Sequence, residues 1–517
     1  MMDTAVPLLH DHLIRSACRS PEKVALVCGR RRVTYDELDA SSDALAAHLA
    51  VAGVARGDRV MIFADNTVEA VVGFWATLKA NAVACLINPL TKADKLDYLL
   101  QDCRPAAFIT DAHLHAAFGD PVRRATFLKR VVVSGEAGDS EPVRLPRAVR
   151  WEVATTAHGA PPVPRCIDID LAAIVYTSGS TGDPKGVMLT HRNMLTACAS
   201  IASYLELRED EVILNVLPLA FDYGLYQMIM AFSVGARLVL ERSFAFPAQT
   251  IRVLSEERVT GLPGVPTVFS TLLGLKSLRS SDLASIRYVT NTGAALPVKH
   301  IQMLRELLPA ARIYSMYGLT ECKRCSYLPP EDIDRKPESV GIAIPNTEMW
   351  IVDEGGRRLG PGLVGQLVIR GATVMKGYWG KPEATAEKLK PGPLPGEQVL
   401  HTGDYCRMDE EGYLYFVGRS DEIIKSRGEK VAPKEVENVL MGIAGVKEAA
   451  VIGVPDDLLG EAVKAFVVME QGAAIGEAQI RNECRRRLET FMVPKHIDIV
   501  SSLPKTDTAK INKRALS

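Results

Sequence analysis

The chain has no uninterrupted apolar run near the ~20 residues that a membrane helix needs, so no membrane span is expected. Its first stretch, "MMDTAVPLLHDHLIRSACRS", carries charges and lacks an extended apolar core. No secretory signal is read there, and a cytoplasmic location is expected. Neither sign of charge is in excess: 61 Lys and Arg against 62 Asp and Glu leave a formal net charge of -1. Without a basic field, no nucleic acid partner is expected. The 10 cysteines read as scattered, which predicts neither a zinc site nor a disulfide framework. Internal repeats and low-complexity tracts are also missing.

What is present is an ordinary globular composition, 47% hydrophobic and 24% charged, over 517 residues. That length is too great for one core, so two or more units are expected. Short β-branched runs alternate with longer helical patterns. "VALVCG", "RVMIFA", "AAFIT", "AAIVYTSG", "EVILNVLP", "ARLVLE" and "SIRYVTNTG" read as buried strands. "TYDELDASSDALAAHLAVAG" reads as a helix that starts at a Thr and stops at a Gly. This alternation predicts an α/β fold with mostly parallel sheets. The segment 135–165, rich in Gly, Ala, Pro and charge, reads as an exposed loop. Past residue 340 the texture becomes short strands and Gly-rich turns, a β-rich subdomain. A further α/β unit begins near 421. The expected division is a large N-terminal domain, residues 1–419, and a small C-terminal domain, residues 420–517.

Chemistry concentrates first in "IVYTSGSTGDPKGVMLTHRNM", residues 174–194. An apolar strand there runs into a turn of glycines and hydroxyls that ends at a single Lys185. Glycines let backbone N–H groups approach an anion, hydroxyls add donors, and the lysine adds charge. The pattern differs from a Walker loop, because Lys185 stands between Pro184 and Gly186 rather than before Ser or Thr. Further along come "NTGAALP" (291–297), "MYGLTE" (316–321), "HTGDYCRMDEEGYLYFVGRSDEIIKSRGEKVAPKEVE" (401–437) and "LPKTDTAKINK" (503–513).

These strings, in this order, resemble the signature motifs of the adenylate-forming superfamily: acyl-CoA synthetases, peptide-synthetase adenylation domains and luciferases. The likeness spans nearly the whole chain. It implies a large domain, a hinge and a small mobile domain. It also implies a reaction in which a carboxylate attacks the α-phosphate of ATP, followed by attack of a thiol on the acyl-adenylate.

By that resemblance, Thr177, Ser178, Thr181 and Lys185 hold the β- and γ-phosphates, with Gly179, Ser180 and Gly182 in the same ATP-binding loop. Tyr317, next to Gly318, stacks on adenine, with Gly293, Ala294 and Ala295 on its other face. Thr320 contacts the α-phosphate, and Glu321 is the Mg2+ ligand, the kind of hard donor that Mg2+ favours. Asp404 takes the ribose hydroxyls, and Arg419 contacts ribose or phosphate. Asp421 is the hinge, and Gly428 lies in the loop that swings in for the thioester step. Lys510 is the catalytic lysine, with Lys505 and Lys513 as fallbacks. Here the sequence departs from the family: Ala509 stands where a glycine is usual before the lysine.

The acid is read from "LPLAFDYGLYQ", residues 217–227. Peptide-synthetase adenylation domains carry Phe-Asp at this point, and their aspartate binds the substrate ammonium. Asp222 therefore favours an amino acid, since a buried carboxylate needs a partner. The other reading is that Asp222 caps a helix beginning near Tyr223. By the same alignment Tyr223, Tyr226, Thr292 and Met316 line a small pocket, and proline is the leading expectation. Lys323 and Arg324 are expected to face solvent or the pyrophosphate side; Arg324 inside the pocket would instead favour an acid with a second carboxylate or a β-amino acid. No carrier segment follows the lysine motif, so the expected acceptor is the phosphopantetheine of a free-standing carrier protein. The alternative is an acyl-CoA ligase for a non-amino acid, with CoA as acceptor.

Overall fold

The computed structural model describes residues 8–135, 144–156, 159–177, 184–275, 278–419, 422, 424–426, 429–456, 460–473, 475–506 and 511–516. Apolar β-branched runs form strands that are covered on both faces, as parallel sheets require. Val24–Cys28, Arg59–Phe63, Ala107–Asp111, Leu171–Thr177, Val212–Asn215, Arg237–Leu240 and Tyr288–Asn291 are all strands, where the sequence puts them. They divide between a 9-stranded and an 8-stranded sheet. One large apolar cluster runs through both sheets and the helices packed on them.

Within the 9-stranded sheet, Val212–Asn215, Gly261–Gly264, Tyr288–Asn291 and Arg312–Tyr317 lie side by side and parallel. Their carboxyl ends therefore point the same way, and the loops that leave them share one edge. In open α/β sheets that edge is where ligands bind. In the 8-stranded sheet, Leu171–Thr177 and Lys185–Thr190 form an antiparallel hairpin, with Thr177 opposite Lys185. Gly377–Tyr378 adds to the far side of that hairpin.

The β-rich part is a separate sheet of Thr347–Val352, Gly365–Gly371, Leu389–Pro391, Gln398–Met408 and Leu414–Arg419. From Ile424 onward a further sheet packs with the helices Pro433–Met441 and Glu477–Arg487 around its own apolar cluster. The chain is thus a mixed α/β protein with a large N-terminal and a small C-terminal domain. Among the described residues, no helix is long and apolar enough to cross a membrane.

Local signals explain the helix ends. Thr34 accepts from the Glu37 N–H, and the Glu37 carboxylate accepts from the Thr34 N–H, which starts the helix Tyr35–Val51. Thr190 and Asn193 make the same reciprocal box at the helix His191–Tyr204. The Asn193 amide also donates to the carbonyls of Ala372 and Val374, at 2.7 and 2.9 Å. One cap thus orders both the helix after the hairpin of Leu171–Thr177 and Lys185–Thr190 and the segment leading to Tyr378. Thr190→Ala is expected to cost about 1–2 kcal/mol of stability, read as a lower urea midpoint at unchanged slope. A change below ~0.3 kcal/mol would mean the box does not hold the helix end.

Of the segment 135–165, residues 136–143 and 157–158 lie outside the described residues, and the stretch 144–156 is more structured than its composition predicts. Ala148–Arg150 is a strand that extends the sheet, and Trp151–Thr155 is a helix that buries Trp151 and Ala154. Apolar contact by a few residues outweighs the loop-like composition around them.

Candidate active site

Three loops converge because they leave neighbouring parallel strands. The loop after Val212–Asn215 delivers Asp222, and the turn after Tyr288–Asn291 delivers Thr292 to Ala295. The loop after Arg312–Tyr317 delivers Gly318 to Arg324. Gly318 permits the tightest approach. A Cβ there would lie 2.3 Å from the Lys323 carbonyl oxygen and 2.9 Å from the Arg324 Cα. Only glycine lets the chain fold back so closely on itself.

That fold-back turns Lys323 and Arg324 inward. Both are buried, at 3% and 2% exposure, so the expectation that they face solvent or pyrophosphate is corrected. Lys323 Nζ donates to the Asp222 carbonyl at 2.8 Å and to its carboxylate at 3.3 Å. It also sits 4.2 Å from the Tyr226 ring centroid. Burial, the main cause, pulls the Lys323 ammonium down to about 7, with Asp222 opposing and Arg324 adding to the shift. Asp222 is the first residue of the helix Asp222–Val234, whose N-cap position is taken by Phe221, so the capping reading is also corrected. The carboxylate is held by an ammonium from this same chain.

Arg324 lies over the Tyr223 ring, 5.2 Å from its centroid, and Nη1 donates to the Thr292 hydroxyl. Tyr223 OH is shared with the Thr290 hydroxyl at 2.6 Å, and Tyr204 OH donates to the Met316 sulfur at 3.0 Å. Asp222, Tyr223, Tyr226, Thr292 and Met316 are therefore brought together, with two basic residues added. Cys322 and Cys325 flank those two in a Cys-x-x-Cys, their sulfurs 3.0 Å apart, so the cysteines are not all scattered. Burial pushes the Cys325 thiol well up, which keeps it a protonated core residue rather than a nucleophile.

A second cluster lies on the other side of the same loop. Tyr317 OH donates to the Asp404 carboxylate, and Asp404 faces Arg419 across two antiparallel strands. Burial pushes Asp404 above the usual carboxylate range, with Tyr317 opposing. Asp404 is thus a buried carboxylate whose remaining acceptor positions suit a diol. The Asn291 amide donates to the Ala294 carbonyl at 2.9 Å, and its Oδ1 is buried without a partner among the described residues. That orphan acceptor stands beside Gly293, Ala294 and Ala295, where an exocyclic amine would satisfy it.

Glu321 joins the hairpin of Leu171–Thr177 and Lys185–Thr190 through a residue that sequence reasoning missed. Tyr378 OH donates to Glu321 Oε1 at 2.6 Å, and Lys185 Nζ lies 5.5 Å from the Tyr378 ring centroid. Burial and then Glu321 push the Tyr378 phenol up, so it stays a donor. The Met375 N–H also bonds the Glu321 carbonyl at 2.7 Å. The only available signal for Tyr378 was its place in "MKGYWGKPEATAEK", a stretch with no motif assigned to it. Glu321, with one carboxylate oxygen left and the Thr320 hydroxyl beside it, offers the hard oxygen donors that fit Mg2+.

Ser178, Gly179, Ser180, Thr181, Gly182, Asp421, Gly428, Ala509 and Lys510 lie outside the described residues. The fallback lysines are engaged elsewhere: Lys505 lies 3.0 Å from Glu448, and Lys513 lies 2.7 Å from Glu437. Asp65, Asp111 and His113 also approach one another. The Asp111 oxygens, however, already accept from Ser134 and the Asp65 N–H.

Comparison with known proteins shows the family. The AMP-binding enzyme family model matches residues 13–379, and the AMP-binding enzyme C-terminal domain model matches residues 435–510. The chain is 31% identical to a long-chain-fatty-acid--CoA ligase of Bacillus subtilis, over 98% of this chain and 94% of that one. It is 33% identical to a feruloyl-CoA synthase of an Amycolatopsis species, over 97% and 96%. Among solved structures, ATP-bound MatB from Rhodopseudomonas palustris superposes with a TM-score of 0.88 at 28% identity, covering 98% and 97%.

Proposed function

The chain belongs to the AMP-binding enzyme family, and from that premise we propose that it is an AMP-forming ligase joining a carboxylic acid without an α-amino group to CoA. The observation that carries the choice of acid is the Asp222–Lys323 pair. The amino-acid reading needs Asp222 to lack a partner until an ammonium arrives, and Lys323 supplies that ammonium from within. Loading of proline onto a free-standing carrier protein loses its physical argument on this point. The relatives described above, a fatty-acyl and a feruloyl CoA ligase, support the same choice.

In the first half-reaction, the substrate carboxylate attacks the α-phosphorus of ATP and pyrophosphate leaves with the bridging oxygen's electron pair. In the second, the CoA thiol loses its proton, attacks the acyl carbon and displaces AMP. Most of what the protein contributes is positioning and charge compensation. Asp404 holds the ribose, and Tyr317 fixes Asp404 while presenting its ring to adenine. Asn291 Oδ1 and the 293–295 turn border the base. Lys185 and Thr177, paired across the two strands where the hairpin turns, face the outer phosphates. Mg2+, which Glu321 and Thr320 would hold, supplies neutralisation of phosphate charge. Lys510 is assigned the developing charge between the reactants on the strength of its motif alone.

The test is pyrophosphate release with ATP and Mg2+ across the proteinogenic amino acids and a panel of aryl, short-chain and long-chain acids. Release with plain acids, with thioester formed on adding CoA, is expected. Release with amino acids alone, and no thioester with CoA, would overturn the proposal.

A further inference from the structure

The acyl pocket holds one more positive charge than it holds acceptors for. Lys323 is matched by Asp222. Arg324 is almost wholly buried, and no carboxylate among the described residues pairs with it. Among the described residues its Nη1 donates to Thr292, while Nε is buried with no partner. The groups around it are the tyrosine hydroxyls of residues 204, 223 and 226, all pushed up by burial and so uncharged. A buried guanidinium without a counter-charge is costly, and natural proteins pair such groups. The unpartnered Nε lies on the edge of the guanidinium that also carries Nη2. That edge presents two parallel N–H donors, the geometry that grips a carboxylate in bidentate fashion.

The location assigns the occupant. Arg324 follows Glu321 by one short turn and bonds Thr292, which directly precedes the 293–295 turn. It therefore borders the same space as the acid whose first carboxylate reacts. A carboxylate arriving there finds a planar fork of donors and aromatic walls, and the one acid side chain nearby, Asp222, is already held by Lys323. Resting on the acyl-CoA ligase reading above, we propose that Arg324 is the specificity-determining residue for a second carboxylate, so that the preferred substrate is a dicarboxylic acid activated at one end only.

The experiment compares α,ω-dicarboxylates from malonate to adipate, and phthalate, with their monomethyl esters, which keep the shape and lose the second charge. Wild type is expected to favour at least one diacid over its monoester by about 30- to 1,000-fold in kcat/KM, the scale of one buried charge partner. Arg324→Met should collapse that ratio to about 1, mainly through a higher KM for the diacid, and Arg324→Lys should recover part of it. A thermal-shift measurement with the same diacids and a non-hydrolysable ATP analogue reads binding without turnover. The diacid should raise the melting temperature of wild type and not that of Arg324→Met. If monoesters or plain monoacids are used better than every diacid, and Arg324→Met leaves the ratio unmoved, the assignment to Arg324 is overturned while the ligase reading stands. If no acid yields a CoA thioester, the ligase reading fails. The diacid-dependent shift then decides the Arg324 site alone: its presence upholds the site and its absence overturns it.

Discussion

Asp222→Ala is expected to destabilise the folded chain by about 3–5 kcal/mol at pH 6, the cost of stranding one partner of a buried ion pair. Lys323 and Asp222 are 2% and 11% exposed at their side chains, so water does little to compensate. The size of the loss depends on pH in a set direction. Burial holds the Lys323 ammonium at about 7, below the ordinary lysine value of 10.5. Between those values the unfolded chain binds more protons than the folded one, so this lysine makes stability rise with pH from about 7 to 10.5. Where Lys323 is neutral there is less charge to strand, and the cost of Asp222→Ala shrinks toward pH 9. Replacing both partners by apolar residues, Asp222→Leu with Lys323→Met, should bring the chain to within ~1 kcal/mol of wild type, since removing a whole buried pair is often neutral. A remaining deficit of ~0.3–1 kcal/mol is expected from the lost acid in the first turn of the helix. Urea unfolding of the single and double variants at pH 6 and pH 9 measures all of this. A loss below ~1 kcal/mol for Asp222→Ala at both pH values would mean that Asp222 is not paired within the protein, and would return it to a substrate ammonium.

The same residues show what the sequence could and could not reveal. The strands were legible because parallel strands covered on both faces must be continuous β-branched runs, a pattern that depends on a few adjacent residues. Motif positions were legible for a related reason. Thr177 and Lys185 are close in sequence and face each other across one hairpin, and Met316, Tyr317 and Glu321 leave one strand together. Lys323 and Arg324 were misread because a basic pair beside a motif normally lies in water. Their inward course comes from the close approach at Gly318 and from a left-handed turn at Lys323, where φ is 60°. Neither is a property of the local residues' polarity. Tyr378 was missed because its partner Glu321 is 57 residues away, and the two meet only through long-range contacts. The pairing of Asp222 with Lys323 spans 101 residues and was invisible for the same reason. Residue identity thus points to the proposed nucleotide side of the site, where motifs are local. The acyl side, built from long-range contacts, emerged only in three dimensions.

Asp404→Ala should abolish most adenylation while leaving the fold close to intact. The carboxylate lies at the centre of a small network: Tyr317 OH donates to it, the Asp404 N–H bonds the Thr402 hydroxyl at 3.1 Å, and Arg419 faces it across the strand pair. Only its side-chain oxygens would reach a ribose diol, and each such charge-assisted bond is worth about 2 kcal/mol. Two of them give about 4 kcal/mol, or roughly a thousandfold in kcat/KM for ATP. Because the carboxylate is buried and pushed up, removing it also relieves a desolvation cost. Stability should therefore fall by no more than ~1–2 kcal/mol, the price of one unpaired tyrosine hydroxyl. Tyr317→Phe separates the two contributions. It keeps the carboxylate and the ring but frees Asp404 to rotate, and a loss of about 10-fold is expected. The readout is ATP–pyrophosphate exchange with a saturating acid, alongside thermal unfolding of each variant. Equal, small losses in both variants would place the ribose elsewhere. A thousandfold loss in Asp404→Ala at nearly wild-type stability would leave ribose binding as the role of this carboxylate, and Tyr317 as the residue that aims it.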